Sequence, residues 1–356
     1  MIKHSIIICL HKSANRILLI LTLAFLLACS NKSKQHEQAE QVYNQGMELT
    51  KKGDVLNLLE SIKLFKESLK IDSTLAESYA SLAIAYAYLG GSFNYLSPEI
   101  VWAEAIPAAN KAVALDRNLA PGYLAKALIE EYRTWNWTET EKYMKQALVL
   151  EPENTDLLAE YANFLVMIKR GEEARALFDK ARKLAPDSPL VNDYFQYAMI
   201  HSREFDKVKP LIKKEIREDP QNPYLYWKMA VLCSKEGKPE EALENLSLQI
   251  PMMNGDMVDE VALCGYNLGR MGKTEEALAQ LKKLDELAEK GMYVSPAVRA
   301  WIYSGLNNRD EAMACLEKGF TERAHRMGLE LIAFAFIFEP VADDPRYQEL
   351  LKKMNL

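Results

Sequence analysis

From Ala39 onward, apolar and small residues recur at i, i+4 and i+7, as in Ala174, Phe178 and Ala181, which places them on one helical face. The stripe itself repeats. Pro152, Pro186 and Pro220 are 34 residues apart, and Ala242, Ala277 and Ala312 are 35 apart, a period that fits a pair of helices. The alanines sit in similar contexts: Glu172-Glu173-Ala174, Glu240-Glu241-Ala242, Glu275-Glu276-Ala277 and Asp310-Glu311-Ala312. Acids suit the first turn of a helix, where the backbone N–H groups point outward. Aligned in this way, the chain divides into eight units starting near Ala39, Ala76, Ala120, Thr155, Pro189, Pro223, Val258 and Tyr293. The first has extra residues near Asp54–Glu60. The second has a longer insertion between Gly90 and Ala105, expected to project as a loop. The fifth departs most, with Val208 and Gln196 at two positions that favour small residues.

The two ends break the pattern. Residues 1–16 carry Lys3, Lys12 and Arg16 and no acid, and Ile17 to Leu27 form an apolar run that stops at Ala28-Cys29. That order fits a translocation leader, and the run is shorter than the roughly 20 residues a membrane span needs. The polar stretch after Cys29, SNKSKQHEQ, reads as a flexible tether. From Thr321 the repeat ceases, and 321–356 is expected to cap the last helix face. The expected organisation is therefore a leader over 1–28, a tether over 29–38, repeats over 39–320 and a cap over 321–356.

The recurring small, aromatic and proline positions resemble the tetratricopeptide repeat (TPR) family, with Gly46, Gly265, Ala83, Ala127, Ala162, Ala230 and Ala300 at the small position of the first helix. The resemblance implies an all-α, right-handed solenoid of about eight helix pairs. It also implies that the first helix of each unit lines a concave groove through its second, fifth, ninth and twelfth positions. By register, Tyr197, Tyr224, Trp227, Tyr266 and Trp301 fall at such positions, with Lys228, Lys235 and Arg270 as basic candidates. Such aromatics would suit a peptide ligand, and they would equally serve packing between units. Leu26-Leu27-Ala28-Cys29 resembles a bacterial lipobox, which implies a lipid on Cys29 and an address in the cell envelope, at the outer membrane. Tyr132-Arg133-Thr134-Trp135-Asn136-Trp137, Tyr293-Val294-Ser295-Pro296 and Asp343 to Leu351 resemble the TPR halves of bacterial adenylate cyclases, protein kinases and winged-helix regulators, here without an effector domain.

Charge narrows the partner. Without residues 1–28 the chain keeps 41 basic against 50 acidic side chains, which disfavours nucleic acid. Gly269 to Thr274 ends like a phosphate loop, but Asn267 stands where its first glycine belongs, so no nucleotide is expected. After the leader only His36, His201 and His325 remain, and no CxxC occurs, so no metal or cofactor is expected. Nor is there a nucleophile elbow, and an enzyme is not expected. Cys233, Cys264 and Cys315 suit buried thiols, with a Cys233–Cys264 bridge as the alternative. The first four units lack the Lys and Asn pattern that clamps a peptide carboxylate. The expected function is a lipid-anchored scaffold for a protein or peptide; the alternative is an assembly lipoprotein of an outer-membrane secretion, pilus or uptake machine.

Overall fold

The computed structural model describes residues 33–253, 257–324 and 327–356, so the leader and Cys29 lie outside the described residues. Helices make up the described chain, and no strand occurs among the described residues. Eight helix pairs follow one another. They are α1 (33–50) with α2 (Val55–Ile71), α3 (Ala76–Gly91) with α4 (Pro98–Leu115), α5 (Ala120–Ile129) with α6 (Trp137–Leu150), and α7 (Thr155–Met167) with α8 (Gly171–Leu184). Then come α9 (Pro189–His201) with α10 (Phe205–Glu218), α11 (Pro223–Lys235) with α12 (Pro239–Gln249), α13 (Val258–Arg270) with α14 (Thr274–Glu289), and α15 (Pro296–Gly305) with α16 (Arg309–Thr321). A short α17 (Met327–Ala333), a 3-10 segment (Ala335–Val341) and α18 (Pro345–Lys353) end the chain.

Local chemistry fixes the helix starts. Asn154, Ser188, Asn222, Ser295 and Asn308 each accept a backbone N–H of the following first turn. Prolines occupy early positions in α9, α11, α12 and α15, where no intrahelical N–H is needed. Between the helices of each pair the chain turns through one left-handed residue: Gly53, Asn94, Trp135, Lys169, Arg203, Gly237, Gly272 and Asn307. This backbone repeat shows the register more evenly than the side chains do, because only three of the eight are glycine.

The small positions permit close helix contact. A Cβ on Gly46 would lie 2.6 Å from the Phe65 ring, and one on Gly265 would lie 2.7 Å from Ile302. Ala83, Ala127, Ala162, Ala230 and Ala300 are fully buried.

Three expectations change. The described part of the tether, 33–38, is helical and opens α1, where His36 Nδ1 lies 2.7 Å from Asp72 Oδ2. That pairing gives a polar segment a fixed partner. The insertion in the second unit does not stand out as a free loop. Much of it forms the start of α4, while Asn94 reaches Asp259 at 3.5 Å and Ser92 lies 3.2 Å from the Tyr132 hydroxyl. The C-terminal segment does pack on α15 and α16, but α17 also reaches α7 and the π-helical turn Glu130–Thr134.

That π turn closes the solenoid on itself. It ends at Trp135, whose φ of 56° is unusual for a bulky residue. The Trp135 ring stacks on Phe320 at 5.4 Å, with the Arg323 guanidinium 4.9 Å over its face. Trp137 Nε1 donates to the Met354 carbonyl at 2.8 Å, and a Cβ on Gly328 would lie 2.7 Å from the Trp137 indole. The third unit thus grips the C-terminal end, which a simple open solenoid would leave far away. Trp137→Phe keeps an aromatic side chain but removes the donor and part of the indole packed on Gly328, and is expected to cost about 1–3 kcal/mol in urea unfolding. No loss would show that the Trp137 contact contributes nothing to closure.

Candidate peptide-binding face

The inner face is built from the first helix of each pair. Tyr224 stands at the second position of its unit, half-buried, and burial pushes its phenol up to about 12. The charges of Asp54 in the first pair and Glu260 of α13 push it the same way. Trp227, one turn on, is also half-buried. Tyr197 stacks with His201 at 6.4 Å and carries the Lys228 ammonium 5.5 Å over its ring.

Lys228 is not a groove cation open to an acidic ligand. It is 3% exposed, pairs with Asp193 at 2.5 Å and donates to Gln196 Oε1 at 2.9 Å. A buried ammonium needs such partners, and the ones that neutralise it come from the preceding unit. Arg270, by contrast, is exposed. Lys235 is half-buried and donates to the His201 carbonyl at 3.3 Å, with its pKa lowered to about 8 by burial and by Arg203.

Tyr266 and Trp301 do not offer free surface. Trp301 is fully buried with Phe334 4.8 Å away, and Tyr266 meets the edge of Phe336 at 6.1 Å and 84°. The rings that cover them come from the chain's own C-terminal segment. The five aromatics therefore divide: Tyr197, Tyr224 and Trp227 keep partial exposure, while Tyr266 and Trp301 are occupied.

A second inner cluster was missed in the sequence. Glu160 of α7 accepts from the hydroxyls of Tyr194, at 2.6 Å, and Tyr88. Burial pushes the Glu160 carboxyl up and raises both phenols well above their ordinary range. Nearby Glu131, in the π turn, is pushed up to about 8 by burial first and by the Glu160 charge second. The only signal in the sequence is two acids embedded in otherwise apolar inner helices, at Glu131 and in LLAEYANF around Glu160.

The phosphate-loop lookalike forms the end of α13, the turn through Gly272 and the start of α14. Cys233, Cys264 and Cys315 are free thiols, all pushed up by burial. Among the described residues, no three His, Cys, Asp or Glu side chains gather as a metal-ligand set, and no helix is long and apolar enough to cross a membrane.

Residues 136–193 match a family described as tetratricopeptide repeat. The architecture is a TPR-type solenoid. Over 89% of this chain and 71% of the other, it is similar to human IFIT1, solved as a dimer with m7Gppp-AAAA, with a TM-score of 0.58 at 17% identity. It is also similar to the APC/C hetero-tetramer Cut9–Hcn1, with a TM-score of 0.53 at 10% identity over 83% of this chain and 52% of that one. The type IV pilus biogenesis factor PilW aligns over 60% of this chain and 93% of its own, at 18% identity and a TM-score of 0.46. No curated protein sequence matches the chain.

Proposed function

We propose that this TPR solenoid is a non-enzymatic scaffold that holds a peptide or protein partner against the partly exposed aromatics of its fifth and sixth units, Tyr197, Tyr224 and Trp227. The observation that carries this reading is their incomplete burial at register positions where Tyr266 and Trp301 of the later units are covered. Tyrosine and tryptophan supply large contact area with few rotatable bonds, and a buried Trp anchor contributes about 2 kcal/mol or more to binding. The capped-RNA fragment belongs to the human IFIT1 structure; the acidic balance of this chain favours a polypeptide instead.

The scaffold is carried in the bacterial envelope, at the outer membrane, by a lipid on Cys29. The basic leader, the short apolar run and the lipobox-like residues support that address. Cys29→Ala is expected to move the protein from the detergent phase to the aqueous phase after extraction. Equal partitioning of both forms would contradict lipidation.

The partner face is tested by the double substitution Tyr224→Ala with Trp227→Ala. Capture of the partner from crosslinked cells should fall at least about tenfold while the helical circular dichroism is kept. Undiminished capture by a folded variant would place binding elsewhere.

A further inference from the structure

The C-terminal segment does two different things. α18 behaves as an end cap: it packs on α16, and the ion pairs Arg309–Asp343 at 2.6 Å and Arg346–Asp310 at 2.8 Å tie this end of the chain to the eighth unit. Residues 333–341 reach further. The buried imidazole of His201 of α9 lies beside the Ala333 backbone. Lys235 of α11 places its ammonium 5.9 Å over the Phe336 ring. Tyr266 of α13 meets the edge of the same ring, and Trp301 of α15 lies against Phe334. Ser304 of α15 donates its hydroxyl to the Ile337 carbonyl at 2.6 Å.

A cap needs only to cover the apolar end of the last helix pair. Here the first helices of four successive pairs each place a side chain against one short stretch of chain, and the contacts combine ring packing with a bond to the main chain. That is how a groove holds a peptide: main-chain bonds give affinity and aromatic pockets give selectivity.

We propose that the groove of units five to eight is a peptide-recognition site occupied in cis by residues 333–341. Its ligand class is a short, mainly apolar segment with aromatic rings two residues apart, as in Phe334-Ala335-Phe336. The occupant is joined directly to the eighth unit, so its effective concentration is on the order of millimolar. A partner carrying the same pattern therefore has to displace it, and the intact chain holds closed the part of the groove around Tyr266 and Trp301 while Tyr197, Tyr224 and Trp227 keep partial exposure. This deepens the scaffold reading and rests on it. The two fail separately, because partner capture through Tyr224 and Trp227 does not depend on release of the segment.

The test uses the full chain with protease recognition sequences inserted between Glu322 and Arg323 and between Ala342 and Asp343, both cut after folding, so that α18 and its ion pairs are separated from the stretch under test. The severed piece should stay bound and then exchange for a fluorescein-labelled synthetic peptide of residues 327–341. The helices that remain should keep their circular dichroism. The same peptide with Phe334→Ala and Phe336→Ala should compete at least about tenfold less well, since each aromatic contact contributes about 1 kcal/mol. Three results would overturn the proposal: loss of the whole chain's helical signal on release, equal competition by the substituted peptide, or no exchange at millimolar peptide.

Discussion

Replacing Gly305 with alanine is expected to destabilise the solenoid by about 3 kcal/mol or more in urea unfolding. The added Cβ would lie 2.4 Å from the Tyr266 carbonyl oxygen, 2.7 Å from its Cα and 2.9 Å from its carbonyl carbon. All three atoms are backbone of α13, so no side-chain rotation relieves the clash. The helices must separate, and the neighbouring contact is just as tight, because a Cβ on Gly269 would come within 2.6 Å of the Gly305 carbonyl carbon. Gly272→Ala supplies the control. Gly272 has a φ of 75° and open space where its Cβ would go, so only backbone strain is added, about 1 kcal/mol. Equal losses at the two positions would mean that α13 and α15 are not in the close contact described.

The second large effect is a dependence on pH that belongs to Glu131. Its carboxyl is pushed from an ordinary 4.5 to about 8 in the folded chain. Between those values the unfolded chain gives up the proton while the folded chain keeps it, so rising pH favours unfolding. The stability tied to this group is complete below about 4.5 and is lost progressively as pH rises through 8. A shift of this size corresponds to several kcal/mol, on the order of 1.4 for each pH step. Glu131→Gln should abolish most of the loss between pH 5.5 and 8.5, because the amide is neutral throughout and has a similar shape. His201 contributes the opposite slope. Burial lowers its imidazole to about 3, so its share of stability is lost as pH falls from 6.5 toward 3. The comparison of Glu131→Gln with the native chain at each pH removes that shared background. Parallel pH profiles for the two proteins would show that Glu131 titrates normally.

Much of the fold is legible because a repeat states the same local rule many times. Ala76, Ala120, Thr155, Pro189, Pro223 and Val258, expected as unit starts, are also the first residues of α3, α5, α7, α9, α11 and α13. The eighth start shifts from Tyr293 to Pro296, where Ser295 caps the helix. What the sequence could not announce are contacts without a period. Trp137 and Met354 are 217 positions apart, and Asn94 and Asp259 are 165 apart; neither pair leaves a pattern along the chain. The same reason hid the occupied half of the groove. Register alone identifies Tyr266 and Trp301 as inner positions, but their cover comes from Phe334 and Phe336, which lie outside the repeat. Lys228 shows a further limit: a basic residue at an inner position looks available until the Asp193 that pairs with it is seen.

Tyr224 and Trp227, with Tyr197, are the inner aromatics on which the scaffold reading depends. A photo-crosslinking amino acid placed at Trp227 in the full-length protein, with Leu211 as the surface control, tests that reading in intact cells; Leu211 is 40% exposed. Mass spectrometry should find one dominant protein joined at position 227 and absent from 211. Crosslinks to the same protein from 211 and none from 227 would contradict the account.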